Sequence, residues 1–277
     1  MFKGGIQMLN TRLIDMHTHS DNSPDGIHSP MYMCEKAIDK GLRALSITDH
    51  CEIDKFFDQK YSSSIFHSYF ETAKARAAFE GQLLVLIGLE IAQVSHNTTL
   101  SNKIIEKYPF DFVLGSVHTP RGFNEDIKEI DYSKLDVYDF MNNYFAELPE
   151  LDAWSGCDAL AHITCPMRRI QGFYNIDFNY DKVSESLDRL LTAIINNKKA
   201  LEINTSGLRQ DMGRLMPEER IIRRYKELGC KYITIGSDSH TADDVGEGIE
   251  TAMTTAKKCG FDKITFYVSR QAIQIEI

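Results

Sequence analysis

No apolar run in the 277-residue chain approaches the roughly 18 residues that span a bilayer. Met1–Asn10 carries neither a long apolar stretch nor a cleavage site, so a cytoplasmic location is the expectation. Proline and glycine are sparse, at 7 and 17, and no Pro/Gly/Ser linker, low-complexity tract or composition shift interrupts the chain. Disordered and collagenous classes are thereby excluded, and one domain over residues 1–277 is expected. The six cysteines (Cys34, Cys51, Cys157, Cys165, Cys230, Cys259) contain no C-x-x-C pair, which argues against a disulfide framework and for reduced thiols. Neither a P-loop nor a Rossmann glycine fingerprint is present, leaving triphosphate and dinucleotide chemistry unsupported. Positive charge is also short: 31 Lys+Arg against 40 Asp+Glu give −9. That balance disfavours a nucleic-acid partner while allowing a local basic pocket for one small anion.

What the chain does have is a recurring alternation of short β-rich runs and longer amphipathic stretches, the pattern of βα units around a parallel sheet. Strands are expected at Leu13–His19, Ala44–His50, Leu83–Ile91, Asp111–His118, Ala159–Ile163, Ala200–Thr205 and Tyr232–Asp238. Most are near-continuous apolar runs, as strands buried on both faces should be. One helix is well bounded, with Ser29 as N-cap, Pro30 at its first position and Gly41 as terminator. Further helical stripes carry Phe66, Tyr69, Phe70 and Ala73; Phe140, Met141, Tyr144 and Phe145; Val183 to Ile195; and Ile221 to Leu228, and all are expected in the core. The polar, acidic stretch Thr119–Leu135 is too long for a tight turn and is expected to be an active-site loop or lid.

Ionisable residues gather where these strands end, which is where an α/β barrel builds its active site. The donors are His17, His19 and the following Asp25, His50, Glu90, His118, His162, Asp238 and His240. His17 and His19, two apart on a strand, point to the same side and can grip one ion together. Nine N/O donors exceed what one metal needs, so several ions are implied. Imidazole with carboxylate and no thiolate suits Zn, Mn or Fe. Asp15 and Asp49 could either orient ligating histidines or bond loop amides. His28, His67 and His96 fall in loop or helix contexts and are read as solvated or hydrogen-bonded residues.

The ordered set His17-Thr18-His19, Asp25, Thr48-Asp49-His50, Gly88-Leu89-Glu90, Gly115-Ser116-Val117-His118, Ala161-His162 and Gly236-Ser237-Asp238-Ser239-His240 resembles the polymerase and histidinol phosphatase (PHP) superfamily over nearly the whole chain. Pro166–Ile170 and Glu202–Arg209 resemble its histidinol-phosphatase branch. The resemblance implies a distorted (β/α)7 TIM-like barrel, agreeing with the seven strands read from periodicity. It implies three metals: His17, His19, Glu90 and Asp238 on the first; bridging Glu90 with His118 and His162 on the second; Asp25, His50 and His240 on the third. Some relatives have His where Asp25 stands. An N-terminal extension of about ten residues precedes the first motif and is given no function.

The expected activity is metal-dependent hydrolysis of a phosphomonoester, with L-histidinol phosphate as substrate and two to three divalent ions as cofactors. Arg168 and Arg209 would clamp the phosphate, because a guanidinium fork matches two phosphate oxygens. Glu90 would bridge, and Asp238 could carry a proton. The acids of the loop after His118, Glu125, Asp126, Glu129 and Asp131, are candidate partners for a cationic substrate. The alternatives are a PHP phosphodiesterase or nucleotide phosphatase, an amidohydrolase with fewer metals, and a non-catalytic metal-binding module.

Overall fold

The computed structural model describes residues 13–277; the N-terminal extension lies outside the described residues. In chain order the elements are β1 (Ile14–Thr18), α1 (Pro30–Asp39), β2 (Ala44–Ile47), β3 (His50–Glu52), α2 (Tyr61–Ala78), β4 (Leu84–Ala92), α3 (Thr98–Lys107), β5 (Phe112–Ser116), α4 (Val137–Ala153), β6 (Ala159–Leu160), α5 (Ser184–Asn196), β7 (Ala200–Asn204), α6 (Glu219–Glu227), β8 (Ile233–Gly236), α7 (Ile249–Lys258), β9 (Lys263–Val268) and β10 (Gln271–Glu276). The parallel sheet runs β1-β2-β4-β5-β6-β7-β8, and β3 prolongs the place of β2 beside β4. The expected Ala44–His50 strand thus breaks at Thr48–Asp49, where the Asp49 carboxylate leaves the ladder to accept from Ser20, Ser23 and Ser68. Between β1 and β8 the ring closes just beyond the strands: Asp238 N donates to His17 O at 2.7 Å and His19 N to Ser239 O at 2.8 Å. The result is a distorted seven-position (β/α) barrel.

Side-chain alternation sorts the strands into an inner and an outer set. Ala44, Leu86, Phe112, Leu114, Ala159, Ala161 and Ala200 pack together inside, while Leu45, Ile47 and Val85 pack outward with Met33, Cys34 and Ala37 of α1. Continuing the rows of β4, β5 and β7 by steps of two toward the C-terminal end reaches Glu90, His118 and Glu202. In β1 the register against β2 slips between Asp15 and Thr18. Ile14 and Met16 therefore fill the barrel interior, and His17 turns into its mouth rather than outward, the re-aiming that a bulge allows. Gly236 leaves the room this requires, since a Cβ there would lie 2.3 Å from the His17 Cβ and 2.6 Å from Glu202 Oε1.

The opposite end of the barrel is closed by the antiparallel β9–β10 hairpin. Phe266 and Tyr267 join the interior cluster, the Tyr267 ring stacking on Phe112 at 5.1 Å. The hairpin turn bonds to the residues that precede β5 and β6: Arg270 N donates to Asp111 O, and Arg270 Nε to Asp158 Oδ2 at 2.5 Å.

The helical stripes are buried as expected on α4, and on α5 and α6 apart from half-buried Ile195 and Leu228; α2 differs. Its buried face is Tyr61, Ile65, Ser68, Thr72 and Ala75, so Phe66 and Phe70 lie on its flank, 48% and 46% exposed, with their rings 4.6 Å apart. Three polar or small residues, Ser68, Thr72 and Ala75, take the inward face in place of the aromatics. No described helix is long and apolar enough to cross a membrane.

Candidate active site

Glu90, fully buried on β4, is the centre of the cluster. Its Oε1 lies 2.9 Å from His162 Nε2 and 3.3 Å from His118 Nε2, while its Oε2 lies 2.8 Å from His50 Nδ1, 3.4 Å from His17 Nε2 and 3.6 Å from His19 Nε2. Asp238 Oδ1 stands 3.8 Å from His17 Nε2 and 3.5 Å from His19 Nε2. Asp25 is at the edge, partly exposed, with its oxygens 3.5 Å from His50 Nε2 and 3.3 Å from His240 Nε2. All nine expected donors are brought to one mouth. Donor atoms lie within 4.8 Å of one another in four groups: His17–His19–Asp238, His17–Glu90–His162, His50–Glu90–His118 and His19–His50–His240. His50 therefore belongs as much with Glu90 and His118 as with His240. Two donors, His162 and Asp238, have positive φ, 27° and 53°. Such backbone is costly for non-glycine residues and persists where surroundings fix it, commonly at functional sites.

Two carboxylates that the sequence reading gave no role hold these histidines from behind. Glu202 Oε1 lies 2.7 Å from His17 Nδ1, and its Oε2 accepts from His162 N at 2.9 Å. Glu52 Oε1 lies 2.8 Å from His118 Nδ1. Each contact fixes the ring so that Nε2 faces the cluster. Asp15 and Asp49 instead bond the chain around the mouth. Asp15 accepts from Ser237 N and Gly246 N, both at 2.8 Å; Asp49 accepts from Ser20 N at 2.6 Å and from three serine hydroxyls. The signal for Glu202 was its place in the inner row Ala200–Glu202–Asn204; Glu52 lay past the expected end of its strand.

The electrostatics follow from this crowding. Burial would raise the Glu90 carboxyl, but His118, His17 and His50 outweigh it and hold the group well below the usual carboxylate range. Asp238 is likewise held well below its ordinary value: burial opposes, and His17 and Arg168 prevail. His17 and His118 are raised well above the imidazole norm despite burial, by Glu202 and Glu90 for the first and by Glu52 and Glu90 for the second. His19 is pushed well down by burial and by His50 and His240.

Beside the cluster opens a cavity of about 540 Å³ walled by Arg168, Arg209, Ser206, Lys128 and His240 among others. Arg168 Nη2 donates to Asp238 Oδ2 at 2.6 Å and to Ser206 Oγ at 2.7 Å. Arg209 Nη2 donates to Ser237 O at 2.8 Å, and its Nη1 is buried without a partner. The Thr119–Leu135 segment is a loop with one short helical turn, Tyr132–Lys134. Its contribution to the cavity is Lys128, whose Nζ lies 3.6 Å from Asp25 Oδ2. The four loop acids do not line it: Asp126 accepts from Lys128 N, Asp131 pairs with Lys134, and Glu125 and Glu129 are exposed. A loop's acids serve its own turns when its ends are pinned by backbone bonds such as Ile127 N to His118 O.

The donor set fits divalent metal. It is imidazole and carboxylate only, the six cysteines being buried and free of it. Glu90 Oε2, His50 Nδ1 and His240 Nε2 are buried, face other donors of the cluster and meet no hydrogen-bond geometry, an arrangement that a bound cation satisfies.

Comparison with known proteins agrees. The PHP domain family matches residues 15–206. A Clostridium acetobutylicum protein named "Probable histidinol-phosphatase" is 31% identical over 260 residues, covering 92% of this chain and 96% of its own. The histidinol-phosphatase of Lactococcus lactis is 27% identical, covering 92% and 94%. A crystal structure of histidinol phosphate phosphatase from Lactococcus lactis, complexed with zinc, L-histidinol and phosphate, has the same fold: TM-score 0.76 at 22% identity, covering 94% of this chain and 98% of that one.

Proposed function

Because the chain belongs to the PHP domain family, we propose that it is a metal-dependent phosphomonoester hydrolase that converts L-histidinol phosphate and water to L-histidinol and phosphate, a step of histidine biosynthesis. The observation that carries this reading is the juxtaposition of a buried imidazole–carboxylate cluster with two arginines on the wall of one open cavity. The cluster would hold two to three divalent ions (Zn, Mn or Fe) through His17, His19, Asp25, His50, Glu90, His118, His162, Asp238 and His240. When bound, such ions supply a nucleophile from water near neutral pH and neutralise phosphoryl charge.

The chain's own side chains do the rest. Arg209, with an unpartnered Nη1, and Arg168 present guanidinium donors to a monoester dianion at the cluster's edge. Glu90 places both oxygens among five imidazoles and so sets the spacing of the groups it serves. Asp238, held ionised by His17 and Arg168, also accepts from Ser206 and Asn204 at its Oδ2, so it would serve as an orienting oxygen donor and as the expected carrier of a proton.

The test is kcat/KM for L-histidinol phosphate, AMP and a bis-aryl phosphodiester with the metal-loaded enzyme. Histidinol phosphate should lead by at least about a hundredfold, since matched polar groups in a site discriminate by several kcal/mol. Preference for AMP or the diester would move the protein to the nucleotidase or phosphodiesterase reading.

A further inference from the structure

Strands β3, β4 and β5 end side by side: Glu52 pairs with Ala92, and Ala92 with Ser116. The residue after β4, Gln93, is 2% exposed and stands in the left-handed region, with φ 54° and ψ 38°. Its backbone N donates to Ser116 O at 3.3 Å. A long side chain is costly in that conformation, and burying its amide costs more unless donor and acceptor are both met. One orientation of the amide meets both. Nε2 then donates to Glu52 Oε2 at 2.8 Å, and Oε1 accepts from His118 N at 3.0 Å and from Thr119 N. Turned the other way, the oxygen would face the Glu52 carboxylate and the NH2 group two backbone N–H groups, so the surroundings select the first orientation.

Glu52 meanwhile gives its other oxygen to His118 Nδ1, at 2.8 Å, and His118 Nε2 faces Glu90 Oε1 at 3.3 Å. A carboxylate engaged through one oxygen can still rotate about its last bond; engaged through both, it has one plane. Gln93 thus holds two ends of one contact, the carboxylate through its NH2 group and the backbone that carries His118 through its carbonyl. No other side chain of this length supplies both: ionised glutamate has no donor, lysine no acceptor and methionine neither to speak of.

We propose that Gln93 is a positioning residue for the metal cluster, fixing Glu52 against His118 so that His118 Nε2 faces Glu90 before an ion arrives. It acts only through Glu52 and the His118 backbone. The inference rests on the cluster holding divalent metal and is independent of which phosphomonoester is hydrolysed.

The experiment measures metal binding without substrate: Zn2+ affinity by chelator competition, the visible spectrum of the Co2+-loaded protein and the Tm of the metal-free protein. It compares wild type, Gln93→Glu, Glu52→Gln, the variant carrying both changes, and Gln93→Met. Gln93→Glu keeps the length and the acceptor for the two amides and replaces only the donor to Glu52. It should weaken one bound ion by roughly tenfold, leave the other ions at wild-type affinity and shift the Co2+ bands. The paired exchange restores one donor against one acceptor, so it should lose clearly less affinity than the two single losses multiplied together. Gln93→Met should resemble Gln93→Glu, and it decides the matter if Gln93→Glu does not fold. Wild-type affinity and Co2+ spectrum in both Gln93 variants overturn the role. So does a loss that simply multiplies in the paired exchange, or one matched by a fall in metal-free Tm, the mark of general loosening. Wild-type protein that takes up no divalent ion overturns the metal reading itself, a result distinct from these because it needs no variant.

Discussion

At Glu202 a single carboxylate performs two tasks, receiving His17 Nδ1 and the His162 amide. Glu202→Gln keeps the shape but removes the charge that raises His17 and holds its ring. Affinity for the divalent metal should fall about 10- to 100-fold, read as metal retained after dialysis against a graded chelator. Glu90→Gln should cost more, because five imidazoles lose their shared anion; His96→Ala, on an exposed turn, should cost nothing. Equal, mild losses in all three variants would sink the assignment. The nine donors were legible because alternation and strand ends are properties of the chain alone. Glu52 was not, since its value depends on β3 running on beside β4 to meet His118, a pairing no local pattern announces. Asp15 and Asp49 could each have oriented a histidine or bonded the chain, and the structure shows the second: Asp15 meets amides across the ring closure and Asp49 meets serines of the loop after β1 and of α2, contacts that only the assembled barrel supplies.

Among the elements, the β9–β10 hairpin shows why some structure escapes a sequence reading. Its two-residue turn is Ser269-Arg270, with φ of 50° and 65°. Both torsions suit Gly, Asn or Asp, so the usual hairpin signal is missing. The strain is balanced by bonds from the turn to Asp111 and Asp158, which the sequence places more than a hundred residues away. Helices α3 and α7 were also passed over; they are short, with few buried apolar residues each. Arg270→Ala should therefore destabilise the fold by about 2–3 kcal/mol, less than a fully buried pair would lose because Arg270 is partly exposed, leaving Asp158 buried with only the Val113 amide. Urea unfolding checks the loss. The hairpin seals the barrel end opposite the metal cluster, so kcat below the melting transition should be unchanged; a proportionate fall in activity would show the two ends to be coupled.

The molecule as a whole concentrates its unfavourable electrostatics in one mouth, six imidazoles among three carboxylates, and leaves cohesion to the apolar interior and the hairpin seal. Divalent metal binds the folded chain far better than the unfolded one, so at a free concentration 100 times Kd it should add about 2.7 kcal/mol and raise Tm by roughly 5–10 °C. The sign of the pH dependence follows from the histidines. In the metal-free chain His17 and His118 are raised by their carboxylate partners, so the stability they contribute is fully present below the imidazole norm and is lost as pH rises through their folded values. The lowered carboxyls of Glu90 and Asp238 contribute above the ordinary carboxylate range and so stay constant over the same interval. Metal requires the neutral rings, and its affinity grows as those protons leave. From about pH 7.5 to pH 9, above the range in which the lowered His19 and His162 add stability with rising pH, the metal-free protein should thus lose stability while the loaded protein holds or gains it, and the gap between their melting temperatures should widen. Paired thermal scans with and without chelator across that range measure the gap directly; a constant or narrowing gap would mean that protons and metal do not compete for the same histidines.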